Sequence, residues 1–419
     1  MEKSGKFRLT SLERNWILYD VGNSAFVLMV ATLIPIFFNA LAAAGGLSSV
    51  EYLAYWGYAS SAVTIITAVL SPILGTVADT KGFKKPIFIL CVFVGIVGCC
   101  AMGAVSAWLP FLVIFVIAKV GFSGSLVFYD SMLSDVTTPE RMDEVSSRGY
   151  AWGYIGSCVP FVVCLGLVLG AGSIGISQMT ALNLALLLTA AWWLLTTLPL
   201  LKSYKQLYYV EVEKHAVRQS FARIGHTLRH LPEDKQVFWF LLAFFCYIDG
   251  VYTIIDMATA YGTALGLDTT GLLLALLVTQ IVAFPSALVF GRLSNKYPSA
   301  KLIPVCIAAY AGIAVFAFFL TRQWQFWVLA VIVGMFQGGV QALSRSHFAK
   351  IIPPEKSGEY FGLFDICGKG ASFLGTMIVS VGSQLTGSAN VGVGSLILLF
   401  IVGFVLFRVS CRQGVVPSG

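Results

Sequence analysis

The chain has 419 residues, of which 58% are hydrophobic and only 11% are charged, and it carries a net charge of +7. Soluble domains carry roughly 25% charged residues, so this composition excludes a soluble globular protein and predicts an integral membrane protein. The GxxxxGK[ST], GxSxG and HExxH motifs do not occur, which argues against an ATP-driven pump and against the enzymes that those motifs mark. The nine Cys are scattered without a CxxC pair. We interpret them as small buried hydrophobic residues and expect no metal or other cofactor.

Apolar segments long enough to cross a bilayer, which takes about 17 to 25 residues, recur along the whole chain. Six precede and six follow a polar stretch at 201–235. We predict spanning helices at 15–43, 50–78, 86–107, 109–133, 146–170, 179–200, 236–265, 269–292, 301–320, 325–349, 357–385 and 390–410. The expected domains are an N-terminal bundle (1–200), a linker (201–235) and a C-terminal bundle (236–419).

The placement of basic residues predicts the orientation in the membrane. All but three of the 27 Lys and Arg residues lie in the termini or in the regions that follow even-numbered segments. Positive charge marks the cytoplasmic side, so both termini and the linker are expected in the cytoplasm, most simply below a bacterial plasma membrane. The net charge therefore needs no nucleic-acid partner. No removable signal peptide is expected at the start of the chain.

The linker contains one periodic pattern. Phe221, Ile224, Leu228 and Leu231 recur at helical spacing, with arginines between them. This pattern is typical of an amphipathic helix that lies on the membrane surface. The alternative is a plain connector that only spaces the two bundles.

A short basic turn occurs once in each half of the chain. Gly75 and Asp79 follow the second segment and lead into a basic cluster that ends at Lys85. Gly291 and Asn295 follow the eighth segment, 216 positions after the first copy. A small residue lets two helices approach closely, and the Asp or Asn can cap or pair across that contact. We therefore expect these five residues to gate a conformational change, with the stronger latch at Asp79.

A second landmark repeats at nearly the same offset. Pro139 and Pro354 follow the fourth segment of each half, 215 positions apart, and each leads into a Gly-rich fifth segment. Two related halves in a membrane protein are typical of transporters. With six plus six segments, a central basic loop and the repeated GxxxD-type turn, the chain resembles the major facilitator superfamily over nearly its whole length. That resemblance implies two six-helix bundles around one central site.

The first segment gives a narrower resemblance. Residues 19–26 (YDVGNSAF) resemble the opening motif of the vacuole effluxer-like family, whose fungal members are linked to amino-acid export from vacuoles. That family usually carries Trp-Ala where this chain has Val21 and Gly22, so an aromatic contact is missing. The resemblance implies an amino acid or a related metabolite as the solute.

Charges inside the hydrocarbon region cost about 2.5–3.5 kcal/mol each on insertion scales, so they are kept where they face a cavity or a partner. Asp20 and Asn23 share one face of the first segment and could bind a polar group or a proton, or could form only a local network. Lys119, near the middle of the fourth segment, could attract a carboxylate or form a structural ion pair.

Segments 7 and 11 add further acids. Asp249 could exchange a proton between the two sides, or could be a satisfied partner of Lys119 or Lys369. Asp365 and Lys369 are four apart, which allows a salt bridge within one helix. The residues that we expect to bind substrate or couple transport are Asp20, Asn23, Lys119, Tyr154, Asp249, Tyr252, Gln341, Asp365 and Lys369. Those that we expect to gate are Gly75, Asp79, Lys85, Asp130, Gly291, Asn295 and Arg345.

These patterns predict an all-α secondary transporter of a small polar solute. The solute is expected to be amphoteric or anionic, because acids and lysines lie together in the spanning segments, and proton coupling is a hypothesis that rests on the carboxylates. The expected partners are this solute, protons and membrane lipids, with the protein acting as a monomer. The alternatives are an uncoupled facilitator, a lipid-moving variant, and a receptor or scaffold that keeps the transporter fold.

Overall fold

The structure is a computed structural model that describes residues 7–211, 225–227 and 229–413. Within these residues, twelve helices are long and apolar enough to cross a membrane. They are α1 (Ser11–Ala31, continuing as Leu33–Ala44), α2 (Ser49–Ala78), α3 (Lys84–Met102), α4 (Trp108–Ser131), α5 (Met142–Leu169), α6 (Gln178–Ser203), α7 (Lys235–Ala264), α8 (Thr269–Leu293), α9 (Ser299–Phe318), α10 (Gln323–Ile351), α11 (Ser357–Thr386) and α12 (Ile397–Gln413). The predicted all-α fold with twelve spanning segments is confirmed, and most ends differ from the sequence estimate by a few residues.

The first spanning segment is interrupted at Thr32, whose backbone (φ −132°, ψ −78°) is not helical. Pro35 follows three residues later and has no N–H to donate to the carbonyl of Ala31, four residues before it. The hydroxyl of Thr32 bonds to the carbonyl of Leu28, at 2.5 Å. The break therefore has a local cause in the sequence.

The start of α1 is fixed to the loop before α5. Thr10 and Glu13 form a reciprocal capping box, which satisfies two backbone groups at the helix start. The Glu13 carboxylate also accepts hydrogen bonds from Thr137 (2.7 Å) and from Arg141 (2.7 and 2.8 Å). These bonds set the position of α1, which carries the first acids of the spanning region.

The helices form two groups of six, α1–α6 (the N-half) and α7–α12 (the C-half). In the N-half α1 packs against α5 and α6, and in the C-half α7 packs against α11 and α12. The halves meet mainly through α2 with α11 and through α5 with α8 and α10. Loops after even-numbered helices all lie at one end of the molecule, which we call the basic face.

After α6 ends at Ser203, the linker continues as a segment that is not helical. Residues 204–211, which we call the strap, run beside the loop after α2, where Thr80 and Val210 form an isolated parallel bridge. The amphipathic helix predicted for the linker falls mostly on residues 212–224 and 228, outside the described residues. Leu231 lies in a short 3-10 turn, Leu231–Glu233.

Candidate functional site

A cavity of about 310 Å³ lies between the two halves. Helices α1, α4 and α5 line it from the N-half, and α7, α8 and α10 line it from the C-half. The residues chosen from the sequence that line it are Asp20, Asn23, Asp130, Tyr154, Tyr252, Gln341 and Arg345. Asp256, Gln280 and Gln337 add further polar groups to the wall. The cavity thus combines charges of both signs with neutral hydrogen-bonding groups.

Arg345 lies at the end of this cavity that is nearer the basic face and is 2% exposed. One guanidinium nitrogen, Nη1, is 2.9 Å from Asp130 Oδ1 and 3.8 Å from Asp20 Oδ2. The other nitrogens donate to Ser146, Nε to its hydroxyl at 2.9 Å and Nη2 to its carbonyl at 3.0 Å. An arginine of the C-half is therefore held entirely by polar groups of the N-half.

Aromatic rings complete the surroundings of Arg345. Its guanidinium carbon lies 4.3 Å from the ring centre of Tyr150, 4.7 Å from Trp16 and 5.4 Å from Tyr129. Gly149 leaves the space for it, because a Cβ there would lie 3.1 Å from both Arg345 Nη2 and the Trp16 ring. Cation–π contacts strengthen when they are desolvated, so this cage stabilises the buried charge.

Asp20 and Asn23 lie on one face of α1, as their spacing predicts. The Asn23 amide donates to the Tyr19 carbonyl at 3.1 Å and to Asp20 Oδ1 at 3.4 Å. Asp20 is 7% exposed, and its other oxygen, Oδ2, has no hydrogen-bond partner within the described part of the chain. Asp20 is thus partly satisfied and partly available to something in the cavity.

Tyr154 and Gln341 connect the halves beside the cavity. The Tyr154 hydroxyl donates to Gln341 Oε1 at 2.6 Å. Gly338, one turn before Gln341, has no side chain between the helices, and a Cβ there would lie 3.1 Å from the Tyr154 ring. Both residues are among the candidates chosen from the sequence, but nothing in their separation along the chain predicts that they are in contact.

Lys119, Asp365 and Lys369 lie outside the cavity lining. The Lys119 ammonium sits 4.7 Å from the centre of the Phe122 ring, and no described acid is within 4 Å of it. Lys369 pairs with Asp365 at 2.6 Å, so the salt bridge expected from the four-residue spacing is confirmed. Asp365 also accepts a hydrogen bond from Ser71 of the N-half, at 2.8 Å.

Asp249 does not line the cavity. It is fully buried, and its Oδ1 accepts hydrogen bonds from the backbone N–H of Gly375 (2.9 Å) and the hydroxyl of Thr253 (3.3 Å). Among the described residues, Asp249 forms no ion pair with Lys119 or Lys369, so this alternative prediction from the sequence is wrong. The side of α7 that carries Asp249 faces α11 inside the C-half, so this carboxylate points away from the cavity.

The turn after α2 forms the first contact of the gate, our name for the polar contacts that join the halves along the basic face. Asp79 is fully buried and accepts the backbone N–H of Gly358 (2.7 Å) and of Glu359 (2.8 Å). Both N–H groups belong to the first turn of α11, so an N-half carboxylate caps a C-half helix, where negative charge is favoured. Gly75 permits this approach, because a Cβ there would overlap the Gly358 carbonyl.

A buried lysine joins this contact. Lys84 Nζ donates to Ser357 Oγ at 2.8 Å and lies 3.5 Å from Asp135 and 3.8 Å from Asp79. Lys85, which the sequence analysis selected, is half-exposed, and no ion pair in the described region includes it. Neighbouring residues on a helix point about 100° apart, so only one lysine of the pair can face the partner half.

The strap is bound to the same cluster. Asp135 accepts the Tyr204 hydroxyl at 2.6 Å and the backbone N–H groups of Leu207 and Tyr208, each at 3.0 Å. The carboxylate that faces Lys84 therefore also anchors the start of the linker. This role could not be predicted from the sequence, because residues 204–211 carry no periodic pattern.

The turn after α8 makes a corresponding contact of a different kind. Asn295 donates to Glu144 Oε2 at 2.8 Å, and Glu144 also accepts from Arg148, four residues later on α5. Gly291 lies against α5, where a Cβ would be 2.9 Å from the Cβ of Ser147. Here a neutral amide bonds to a side chain that has another partner, whereas Asp79 caps the helix backbone directly.

The centre of the gate lies between α5 and α10. Lys350 pairs with Asp143 at 2.6 Å, and the Ser346 hydroxyl donates to the same carboxylate at 2.6 Å. The Ser146 hydroxyl donates to the Ala342 carbonyl at 2.8 Å. Together with Arg345, these bonds hold the halves together on the basic face.

The comparison with known families agrees with this architecture. Residues 11–416 match the family model described as "Vacuole effluxer Atg22 like". The chain belongs to the vacuole effluxer Atg22-like family. Its opening motif and its duplicated basic turn are therefore features of a member of that family.

The curated relatives are transporters and autophagy proteins. The "Uncharacterized MFS-type transporter YxiO" of Bacillus subtilis (strain 168) is 42% identical over 404 residues, covering 95% of this chain and 94% of the relative. The "Autophagy-related protein 22" of Saccharomyces cerevisiae (strain ATCC 204508 / S288c) is 27% identical over 283 residues, covering 58% of this chain. The chain spans about half the length of that yeast relative, 53%.

Solved structures show the same fold. The human organic anion transporter MFSD10 (TETRAN) superposes with a TM-score of 0.72 at 14% identity, covering 94% of this chain and 99% of that one. The major facilitator superfamily transporter FucP, in the outward conformation, gives 0.70 at 16% identity, covering 96% and 97%. This family member thus has the major facilitator fold and is an MFS-type integral membrane transporter.

Proposed function

We propose that the chain is a secondary transporter that moves a small polar solute by alternating access. The observation that carries the proposal is the central cavity between two halves, whose polar contacts lie along the basic face and within the spanning helices, at Ser71–Asp365 and Tyr154–Gln341. Among the described residues, no hydrogen bond or ion pair joins the halves in the loops of the opposite face. Hydrogen bonds and ion pairs can exchange for water when the halves separate, at a modest net cost, which suits a reversible gate.

The moving units proposed are the N-terminal bundle (1–200) and the C-terminal bundle (236–419), connected by the linker (201–235). The basic face is assigned to the cytoplasm by the positive-inside rule. On that assignment both termini are cytoplasmic, and the gate closes the cytoplasmic side. A bacterial plasma membrane is the location that fits the Bacillus relative.

The solute proposed is amphoteric or anionic, with an amino acid as the first candidate. Asp20 and Asp130 provide negative charge at the end of the cavity near the basic face, and Asp20 Oδ2 is free to accept a donor. Lys119 has no acidic partner within 4 Å among the described residues and could receive a carboxylate. The family resemblance supports the same class of solute.

The proposal is tested by thermal unfolding of the detergent-purified protein with a library of amino acids and related acids. A solute present at about 100 times its Kd stabilises the protein by about 2.7 kcal/mol. Lys119→Ala and Lys369→Ala are expected to weaken the response to a hit at least tenfold, and Lys301→Ala, at an exposed site, to leave it unchanged. An unchanged response in both lysine variants would remove these lysines from the site, and a library without any hit would count against the solute class.

Proton coupling is a second part of the proposal, with an uncoupled facilitator as the alternative. In proteoliposomes, an imposed pH gradient is expected to drive accumulation of the solute by the wild type. Asp249→Asn tests the earlier candidate for the proton carrier, and equal gradient-driven uptake by the variant and wild type would exclude Asp249. Counterflow without any proton movement would instead support the facilitator.

A further inference from the structure

The lining of the central cavity carries more negative than positive charge. Its acids are Asp20, Asp130 and Asp256, and the one cation among the described lining residues is Arg345. Each nitrogen of that guanidinium already donates a hydrogen bond, Nη1 to Asp130 and both Nε and Nη2 to Ser146. The lining therefore has no cation left to receive an anion. Even with Asp20 neutral, the other two acids outnumber Arg345.

Asp256 is the acid of this lining that has no polar partner. Its side chain is exposed, and within the described residues no hydrogen bond or ion pair includes it. Lys119 acts on this carboxylate only from beyond 4 Å and lies outside the lining. Tyr252, one turn earlier on α7, also lines the cavity. A carboxylate near an aromatic ring is a typical setting for an ammonium or guanidinium group.

Asp20 provides a second open acceptor, toward the other end of the cavity. Its Oδ2 has no hydrogen-bond partner in the described part of the chain and lies 3.8 Å from Arg345 Nη1, which is beyond hydrogen-bond distance. Helices α1 and α7 both begin at the basic face. Asp20 is the first lining residue of α1, whereas Asp256 is the last lining residue of α7. The two open carboxylates therefore lie toward opposite ends of the cavity.

The length of the cavity limits what can reach both carboxylates. The lining residues of α1 run from Asp20 to Leu28, about 12 Å at a rise of 1.5 Å per residue. Hydrogen bonds of about 2.9 Å at the two ends leave about 6 Å between the two donor nitrogens. This separation suits a short aliphatic chain that carries a nitrogen group near each end.

We propose that the central cavity takes a solute with two positively charged nitrogen groups, as in a basic amino acid or a short diamine, with one group bound at Asp20 and the other at Asp256. The inference rests on the transport function proposed above and narrows its solute class to cations. A cationic solute offsets the excess negative charge of the lining. A neutral solute leaves Asp256 without a partner, and an anionic solute adds repulsion.

The experiment compares the binding of four compounds to the detergent-purified chain by isothermal titration calorimetry at pH 7, where both amino groups of lysine are charged. Norleucine lacks the terminal ammonium of lysine, 2-aminoadipate carries a carboxylate in its place, and cadaverine lacks the carboxylate of lysine. Lysine is expected to bind at least tenfold more tightly than norleucine, and 2-aminoadipate is expected not to bind. Norleucine or 2-aminoadipate binding as tightly as lysine would overturn the inference. Cadaverine binding as tightly as lysine would assign the diamine type, and weaker binding would assign the basic amino acid.

Asp256→Asn tests the site itself. The substitution is expected to weaken lysine binding at least tenfold and to leave norleucine binding unchanged, so the ratio of the two affinities reports the charge and not the integrity of the fold. Asp256→Glu keeps the charge and is expected to keep the wild-type preference. Asp268→Asn, which removes an exposed acid at the start of α8 outside the cavity, is the matched control. A ratio that stays at the wild-type value in Asp256→Asn would contradict the assignment of this acid.

Counterflow in proteoliposomes separates this inference from the transport function on which it rests. Exchange of norleucine or 2-aminoadipate in preference to lysine would leave the transport function intact and would contradict a cationic solute. If none of the four compounds were bound or exchanged, both proposals would be contradicted. Exchange of lysine or cadaverine, with the expected loss in Asp256→Asn, would support both.

Discussion

Replacing Arg345 with Gln is expected to lower the free energy of unfolding by about 3–5 kcal/mol, the usual cost of breaking a buried ion pair from one side. The substitution removes the only cation within 4 Å of Asp20 and Asp130 among the described residues, and leaves both carboxylates in the space between the halves. It also removes three hydrogen bonds across the gate, to Asp130 and to Ser146. Thermal unfolding in detergent measures the effect.

The control restores the charge balance. When Arg345→Gln is combined with Asp20→Asn and Asp130→Asn, no unpaired carboxylate remains, and most of the lost stability is expected to return. A triple variant no more stable than Arg345→Gln alone would mean that packing, and not charge, accounts for the loss. Arg345→Lys is expected to fall between the wild type and Arg345→Gln, because a point charge cannot reproduce the planar fork.

Asp79→Asn is expected to open the basic face at least tenfold more often than in the wild type. Hydrogen bonds to a charged acceptor contribute about 1.5–3 kcal/mol each, and Asp79 makes two with the first turn of α11. The amide keeps the shape but loses the charge that faces both the helix end and Lys84. Double electron–electron resonance between spin labels at Arg14 in the N-half and Tyr297 in the C-half, both exposed at the basic face, reports the change in a version whose nine cysteines are replaced.

Asn295→Ala is the matched control in the other half. It removes a single hydrogen bond to Glu144, whose carboxylate keeps Arg148 as a partner, so an increase in opening of only a few-fold is expected. Equal opening in the two variants would contradict the view that the latch on the N-terminal side is the stronger one. The expected difference between the two variants arises because Asp79 is a charged group that caps the backbone of a helix, whereas Asn295 is a neutral amide that bonds to one side chain.

The number and approximate ends of the helices could be predicted from the sequence because a bilayer imposes a minimum apolar length. The ion pair between Asp365 and Lys369 could also be predicted, because residues four apart lie on the same side of a helix, about one turn apart. The orientation of each helix about its axis could not be predicted in this way. A membrane helix that is apolar on all sides has no polar stripe to show which face meets its neighbours.

Lys84 and Asp249 illustrate this missing orientation. Lys84 and Lys85 are adjacent and chemically identical, yet only Lys84 faces the partner half. Asp249 lies in the middle of α7, as expected of a coupling residue, but its side chain bonds within the C-half. The strap escaped prediction for another reason, because eight residues without periodicity resemble any loop until their contacts with Asp135 are known.

The pairing of Asp130 with Arg345 did leave a trace in the sequence. The two residues are 215 positions apart, the same offset as between Pro139 and Pro354. They therefore occupy equivalent positions in α4 and α10, and the axis that relates the halves passes between them. The turns reveal the repeat in the sequence, and these two charged residues inside the helices share its offset.

This equivalence shows why the two halves must differ in sequence at the gate. In a symmetric dimer of identical six-helix subunits, a residue beside the two-fold axis meets its own copy. Two aspartates or two arginines would repel each other there, so the ion pair between Asp130 and Arg345 requires two halves that differ. Opposite charges at this point therefore require two copies whose sequences differ, as the two halves of this chain do. The ion pair thus makes the two halves no longer interchangeable at this point.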